Sequence, residues 1–125
     1  MSNDEVIYAY SRANAIEDGV LVDVSKMAEE AGFLFPVALT RTVWDQYVAV
    51  PAGVSGQDET GRLWDVLNML RFAIRKGSGG SELRFHVHVR NDNREGDPPM
   101  VQLKAVCGPN DDASPCITVM RTDED

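Results

Sequence analysis

The sequence predicts a single α+β domain over residues 1–125: a helical N-terminal half with short strands, then one long amphipathic helix packed on a three-strand antiparallel meander. Three observations carry this. Between Asp58 and Lys76 apolar residues recur at the helical period of about 3.6, whereas from Glu82 onward they alternate with a period of about 2. A Gly-Ser linker, Gly77 to Ser81, separates the two regimes. Upstream, glycines stand directly after short polar runs, at the places where helices end.

Ser11 is a suitable N-cap for one or two helical turns carrying Ala13, Ala15 and Ile16, and Gly19 suits the left-handed residue that closes them. Val20, Leu21 and Val22 then read as a short buried strand. Ser25 is expected to cap a second helix, Lys26 to Ala31, closed by Gly32. Phe33 to Leu39 is apolar around Pro36. Because proline cannot donate to a ladder, it reads as an edge strand or extended segment. Thr40 or Thr42 starts a third helix, with Val43, Trp44, Tyr47 and Val48 on one stripe. Pro51 to Gln57 is a loop.

The helix from Asp58 or Thr60 to Lys76 places Leu63, Val66, Leu67, Leu70, Ala73 and Ile74 on its inner face, with Arg62, Asp65, Arg71 and Arg75 turned elsewhere. Lys76 suits its negative C-terminal end, and Gly77 stops it. In the meander, strands are expected at 82–90, 100–107 and 116–121. Leu83, Phe85, Val87, Val89, Val101, Leu103, Ala105, Ile117 and Val119 should face the core.

The length fits one domain with a core large enough to need no staples. No apolar run approaches the roughly 18 residues of a membrane helix, and Met1 to Glu5 is acidic without an apolar h-region, so a cytoplasmic protein is expected. Cys107 and Cys116 should then stay reduced. The net charge of −8 disfavours general binding to phosphate backbones. It suits either solubility alone or recognition of a cationic partner.

Catalytic signatures are missing: there is no nucleophile elbow, GxxxxGK[ST], HExxH or CxxC. AIEDGVL resembles the helix-turn-strand start of ADP-ribosyltransfer folds, but no downstream Glu motif matches. Neighbouring carboxylates such as Glu17-Asp18, Glu29-Glu30 and Asp58-Glu59 sit at helix ends, where capping explains them.

His86 and His88 are two apart on a strand, roughly 7 Å from one another on one face, which invites a metal reading. The pleat opposes it. Cys107 shares parity with the core residues, while Cys116 and both histidines point away, so four ligands do not converge. No metal, no cofactor and no disulfide are expected. Arg84, His86, His88 and Arg90, beside Lys104 and Gln102, would instead form a mildly cationic outward face able to bind anions or nucleic acid. It lacks the exposed aromatics on which bases stack.

The segments YSRANAIEDGVLVDVS (10–25), AGFLFPVALTRTVW (31–44) and QDETGRLWDVLNMLRFA (57–73), with Gly108-Pro109 and Ile117 to Met120, carry a resemblance that spans nearly the whole chain. In these the chain resembles a family of small proteins of unknown function encoded on bacterial plasmids, phages and integrating elements. The resemblance implies a genomic setting and no catalytic residues. That setting and the acidity together suggest a non-enzymatic inhibitor or adaptor that binds a host protein, such as a nucleic-acid-handling defence complex, by imitating nucleic acid. The expected contact surface is Glu17, Asp18, Glu29 and Glu30, since helices hold carboxylates in fixed geometry. The alternative is a small nucleic-acid-binding regulator that uses Arg84, Arg90 and Lys104.

Overall fold

A computed structural model describes residues 10–77 and 79–124. In chain order the elements are α1 (Arg12–Glu17), β1 (Leu21–Asp23), α2 (Ser25–Glu30), β2 (Val37–Thr40), α3 (Arg41–Val43), a π-helical turn (Trp44–Val48), α4 (Glu59–Lys76), β3 (Glu82–His88), β4 (Met100–Pro109) and β5 (Pro115–Arg121). The class is α+β, as expected. The sheet is larger than a meander: five strands in the order β1-β2-β5-β4-β3, antiparallel except where β2 runs parallel to β5. Among the described residues no helix is long and apolar enough to cross a membrane.

The two glycine-closed helices are Schellman-type ends. Gly19 has φ +79°, its N–H donates to Ile16 O and the N–H of Val20 to Ala15 O. Gly32 has φ +99°, with Gly32 N–H on Glu29 O and Phe33 N–H on Ala28 O. Only the N-terminal ends differ in kind. Ser11 caps α1 by accepting from Asn14 N–H. Ser25 does not cap α2; the N-cap position is Val24, and the Ser25 hydroxyl lies between Asp23 Oδ1 and the backbone of Val37, tying α2 to β2.

The largest departure is β2. Val37, Ala38 and Leu39 are fully buried and the strand is interior, paired on both sides. Pro36 is compatible because it precedes the strand and supplies only its carbonyl, which accepts from Ile117 N–H at 2.8 Å. Thr40 caps α3 through Val43 N–H, and the helix then widens, closing with Ala49 N–H on Trp44 O. The widened turn brings Val43 and Val48, five apart, to full burial together.

The alternation read from the sequence holds in the register. Leu83 pairs with Ala105, Phe85 with Leu103, Val87 with Val101, Ala105 with Val119 and Cys107 with Ile117. β2 adds Val37 and Leu39 to the same face. Over it lie α2, through Ala28, and α4, capped by Asp58 Oδ1 on Gly61 N–H and buried through Leu63, Val66, Leu67 and Leu70. Ile74 leaves this stripe: it is 44% exposed. α4 runs closest to β3 and the π-turn rather than across all three meander strands.

The opposite face is also partly covered. Ala15, Ala38, Cys116 and Met120 are buried there without joining the main core. α1 is fastened over this side: Arg12 donates to the Thr118 hydroxyl and to Ile117 O, and the Asp111 carboxylate accepts the N–H groups of Arg12 and Ala13 at the helix start.

Candidate functional site

The four carboxylates expected to form a contact surface are exposed, but they do not form one surface. Glu17 and Asp18 end α1, which covers the far face of the sheet, whereas Glu29 and Glu30 end α2, which packs on the core face. The five strands stand between the pairs. Among the described residues no cation comes within ion-pair distance of any of the four; the acids in ion pairs are Asp45, Glu82, Asp92 and Asp123. Asp4 and Glu5, from the same acidic N-terminal stretch, lie outside the described residues.

Asp18 gains neighbours that sequence spacing does not show. Asp18, Tyr10, Gly19, Thr40, Arg41 and Glu124 line a broad concavity of about 750 Å³ on the far face. The Tyr10 hydroxyl donates to Asp18 Oδ2 at 2.9 Å, and that bond to a carboxylate holds the phenol above its ordinary pKa. Glu124 Oε1 accepts from the Thr40 hydroxyl and from Arg121 N–H, so the segment after β5 is latched beside α1. Arg41 crosses the rim, donating from Nε to Gly19 O and pairing with Asp45 at 3.7 Å.

The outward basic face is smaller than expected. Lys104 is buried, with Nζ donating to the Glu124 carbonyl. Arg90 folds into the β3–β4 loop, donating to the carbonyls of Arg94 and Gly96 beside Asp92. Neither is presented to an outside anion. Arg84, His86 and His88 remain on the open face of β3. Arg84 lies 3.9 Å from Glu82, His86 approaches Gln102, and His88 Nδ1 lies 2.9 Å from Pro98 O, an arrangement in which the ring nitrogen donates.

Cys107 is on the core face and Cys116 on the other, and both are free thiols. Burial pushes the Cys116 thiol above its ordinary pKa. Among the described residues no three of His, Cys, Asp and Glu converge as metal ligands.

The most constrained polar group is one the helical pattern assigns to the surface. Arg62 is 5% exposed, and its guanidinium donates to four oxygens: Val48 O at 3.0 Å, Gln57 Oε1 at 3.0 Å, Arg90 O at 2.6 Å and Asn91 Oδ1 at 2.6 Å. Desolvation lowers its pKa, partly offset by Asp65, yet an arginine stays charged. It joins α4, the π-turn, the loop before α4 and the β3–β4 loop. Asn91 completes the joint by donating to Gln46 O. The role is architectural: every acceptor is a neutral oxygen of this chain.

These features define a small α+β domain whose polar groups at depth are consumed by its own architecture, and whose open surfaces carry carboxylates with no ion-pair partner among the described residues. The chain belongs to a family of unknown function, DUF6573, whose model matches residues 1–125. No curated protein matches it, and no solved structure matches it.

Proposed function

We propose that this chain is a non-enzymatic inhibitor or adaptor of mobile-element origin that works in the cytoplasm and binds a cationic surface of a host protein. The partner is one that handles nucleic acid, and the carboxylates stand where it expects phosphates. No cofactor takes part. The observation supporting this is that Glu17, Asp18, Glu29 and Glu30 are exposed on helix ends with no cation in ion-pair range among the described residues. Because the sheet separates the two pairs, a single partner engages one of them, and Glu17/Asp18, of which Asp18 lines the concavity that Glu124 also lines, are the pair assigned here.

The test begins with capture of partners from a bacterial host lysate, followed by association kinetics with the purified partner. Glu17→Gln/Asp18→Asn should slow association strongly at low salt and flatten its salt dependence, because exposed charges act mainly on encounter rate. Glu29→Gln/Glu30→Gln should leave both unchanged. If both pairs associate like the parent protein, the acidity serves solubility alone. The remaining cluster of Arg84, His86 and His88 on open β3 keeps a nucleic-acid-binding regulator as the second reading. A salt-sensitive gel shift with RNA or DNA, lost in Arg84→Gln, would select it.

A further inference from the structure

A cavity of about 430 Å³ opens between the C-terminal end of α4, the segment after α2 and the first residues of β3. Its wall is apolar: Phe33, Phe35, Ile74, Leu83, Ala105 and Cys107. The volume falls within the ordinary range for small-molecule sites. Leu34 at its lip is 93% exposed, and Phe35 and Ile74 are 40% and 44% exposed, so apolar surface faces water around the mouth.

The charges of this cavity are opposite to those of the protein. Among the described residues its charged lining is Arg71 and Arg75, with no carboxylate, on a chain of net charge −8. Among the described residues neither arginine has a carboxylate within ion-pair distance. The seat of Arg71 is shaped for it. A Cβ on Gly32 would stand 3.0 Å from Arg71 Nε and 3.2 Å from its Cζ, so the glycine both turns the chain and clears space for the guanidinium.

We infer that this cavity is a binding site for a small amphiphilic anion, with its apolar chain against Phe33, Leu83 and Cys107 and its carboxylate or phosphate between Arg71 and Arg75. The apolar wall supplies burial, and the two guanidinium groups supply bidentate recognition of a planar or tetrahedral anion. None of the four helix-end carboxylates lines this site.

Decanoate, kept below micellar concentration, is the probe, with decanol and decylamine as its uncharged and cationic counterparts. Titration followed by amide chemical shifts should give saturable changes at Ile74, Leu83 and Cys107. Decanoate should bind at least about tenfold more tightly than either counterpart. Alkylation of Cys107, followed by mass spectrometry, should slow in parallel, with buried Cys116 as the internal control. Arg75→Gln, at an exposed position, should weaken decanoate severalfold and leave decanol unchanged; Arg71→Gln/Arg75→Gln should abolish the preference for the anion. Shifts that do not saturate, or equal affinity for decanoate, decanol and decylamine, would overturn the assignment.

Discussion

Replacing Arg62 by Met removes a buried guanidinium while keeping most of the side chain's volume. The four hydrogen bonds at 2.6–3.0 Å are lost together. A hydrogen bond to a charged group contributes roughly 1.5–3 kcal/mol, and an acceptor left buried and unmatched costs about 1–3 kcal/mol. Asn91 can swing toward water, and the carbonyl of Arg90 keeps its hydrogen bond from Gln57 Nε2 at 3.0 Å; the carbonyl of Val48, fixed by the backbone, loses the guanidinium donor. Against this, the desolvation cost of the cation disappears, and apolar replacement of buried charges is sometimes neutral for that reason. Here the Val48 carbonyl remains without a replacement donor, so a loss of about 3 kcal/mol is expected. For a domain of this size that lowers Tm by roughly 10 °C. Circular dichroism melts and urea titrations measure it. Asn91→Ala alone should cost about 1 kcal/mol, and much less when combined with Arg62→Met, because the two side chains share one network. A variant melting within about 2 °C of the parent would refute the reasoning, since the bonds would then only have offset the guanidinium's desolvation.

Leu67→Ala and Leu70→Ala should each cost about 2–5 kcal/mol, because both side chains are fully buried under α4; unchanged thermal melts would contradict that packing. Gly19→Val should be severely destabilising at φ +79°, whereas Gly19→Asn, which tolerates the left-handed region, should lose much less; equal Tm values would contradict the turn. Asp112 is held below its ordinary pKa by hydrogen bonds from the hydroxyl and N–H of Ser114. A depressed folded pKa gives stability that is present above the unfolded pKa and fades as pH falls through the folded one. Ser114→Ala should therefore raise the Asp112 titration midpoint in an NMR pH series and weaken that acid dependence. An unmoved midpoint would remove the hydroxyl from the account.

Much of this architecture is legible along the chain because it depends on local chemistry. The α4 stripe, the Gly19 and Gly32 ends and the inward parity of β3, β4 and β5 follow from spacing alone. Parity along each strand also separates Cys107 from Cys116, whichever strands are neighbours. What spacing cannot carry is pairing between distant segments. β2 has four residues, three of them fully buried, and a short apolar run after a proline looks alike at an edge and in the interior. Its parallel alignment with β5 is set by packing across the whole domain. Arg62 is hidden for another reason. It occupies a polar position on an amphipathic helix, and its acceptors include backbone carbonyls, which have no letter in the sequence. Lys104 and Arg90 read as an anion face in the sequence for the same reason: carbonyls of Glu124, Arg94 and Gly96 absorb them. That Asp18 and Glu124 line one concavity depends on the closure of the sheet, which brings α1 and the segment after β5 together.

The central place of β5 sets an order of events during synthesis. The strand in the middle of the sheet is the last of the five to leave the ribosome. Until residues 115–121 emerge, β2 and β4 both lack the strand that pairs with them on one edge. Open edges are templates for pairing with other chains. A chain cut short ahead of residue 115 would lose the pairing partner of both β2 and β4 at once, rather than becoming a slightly smaller domain.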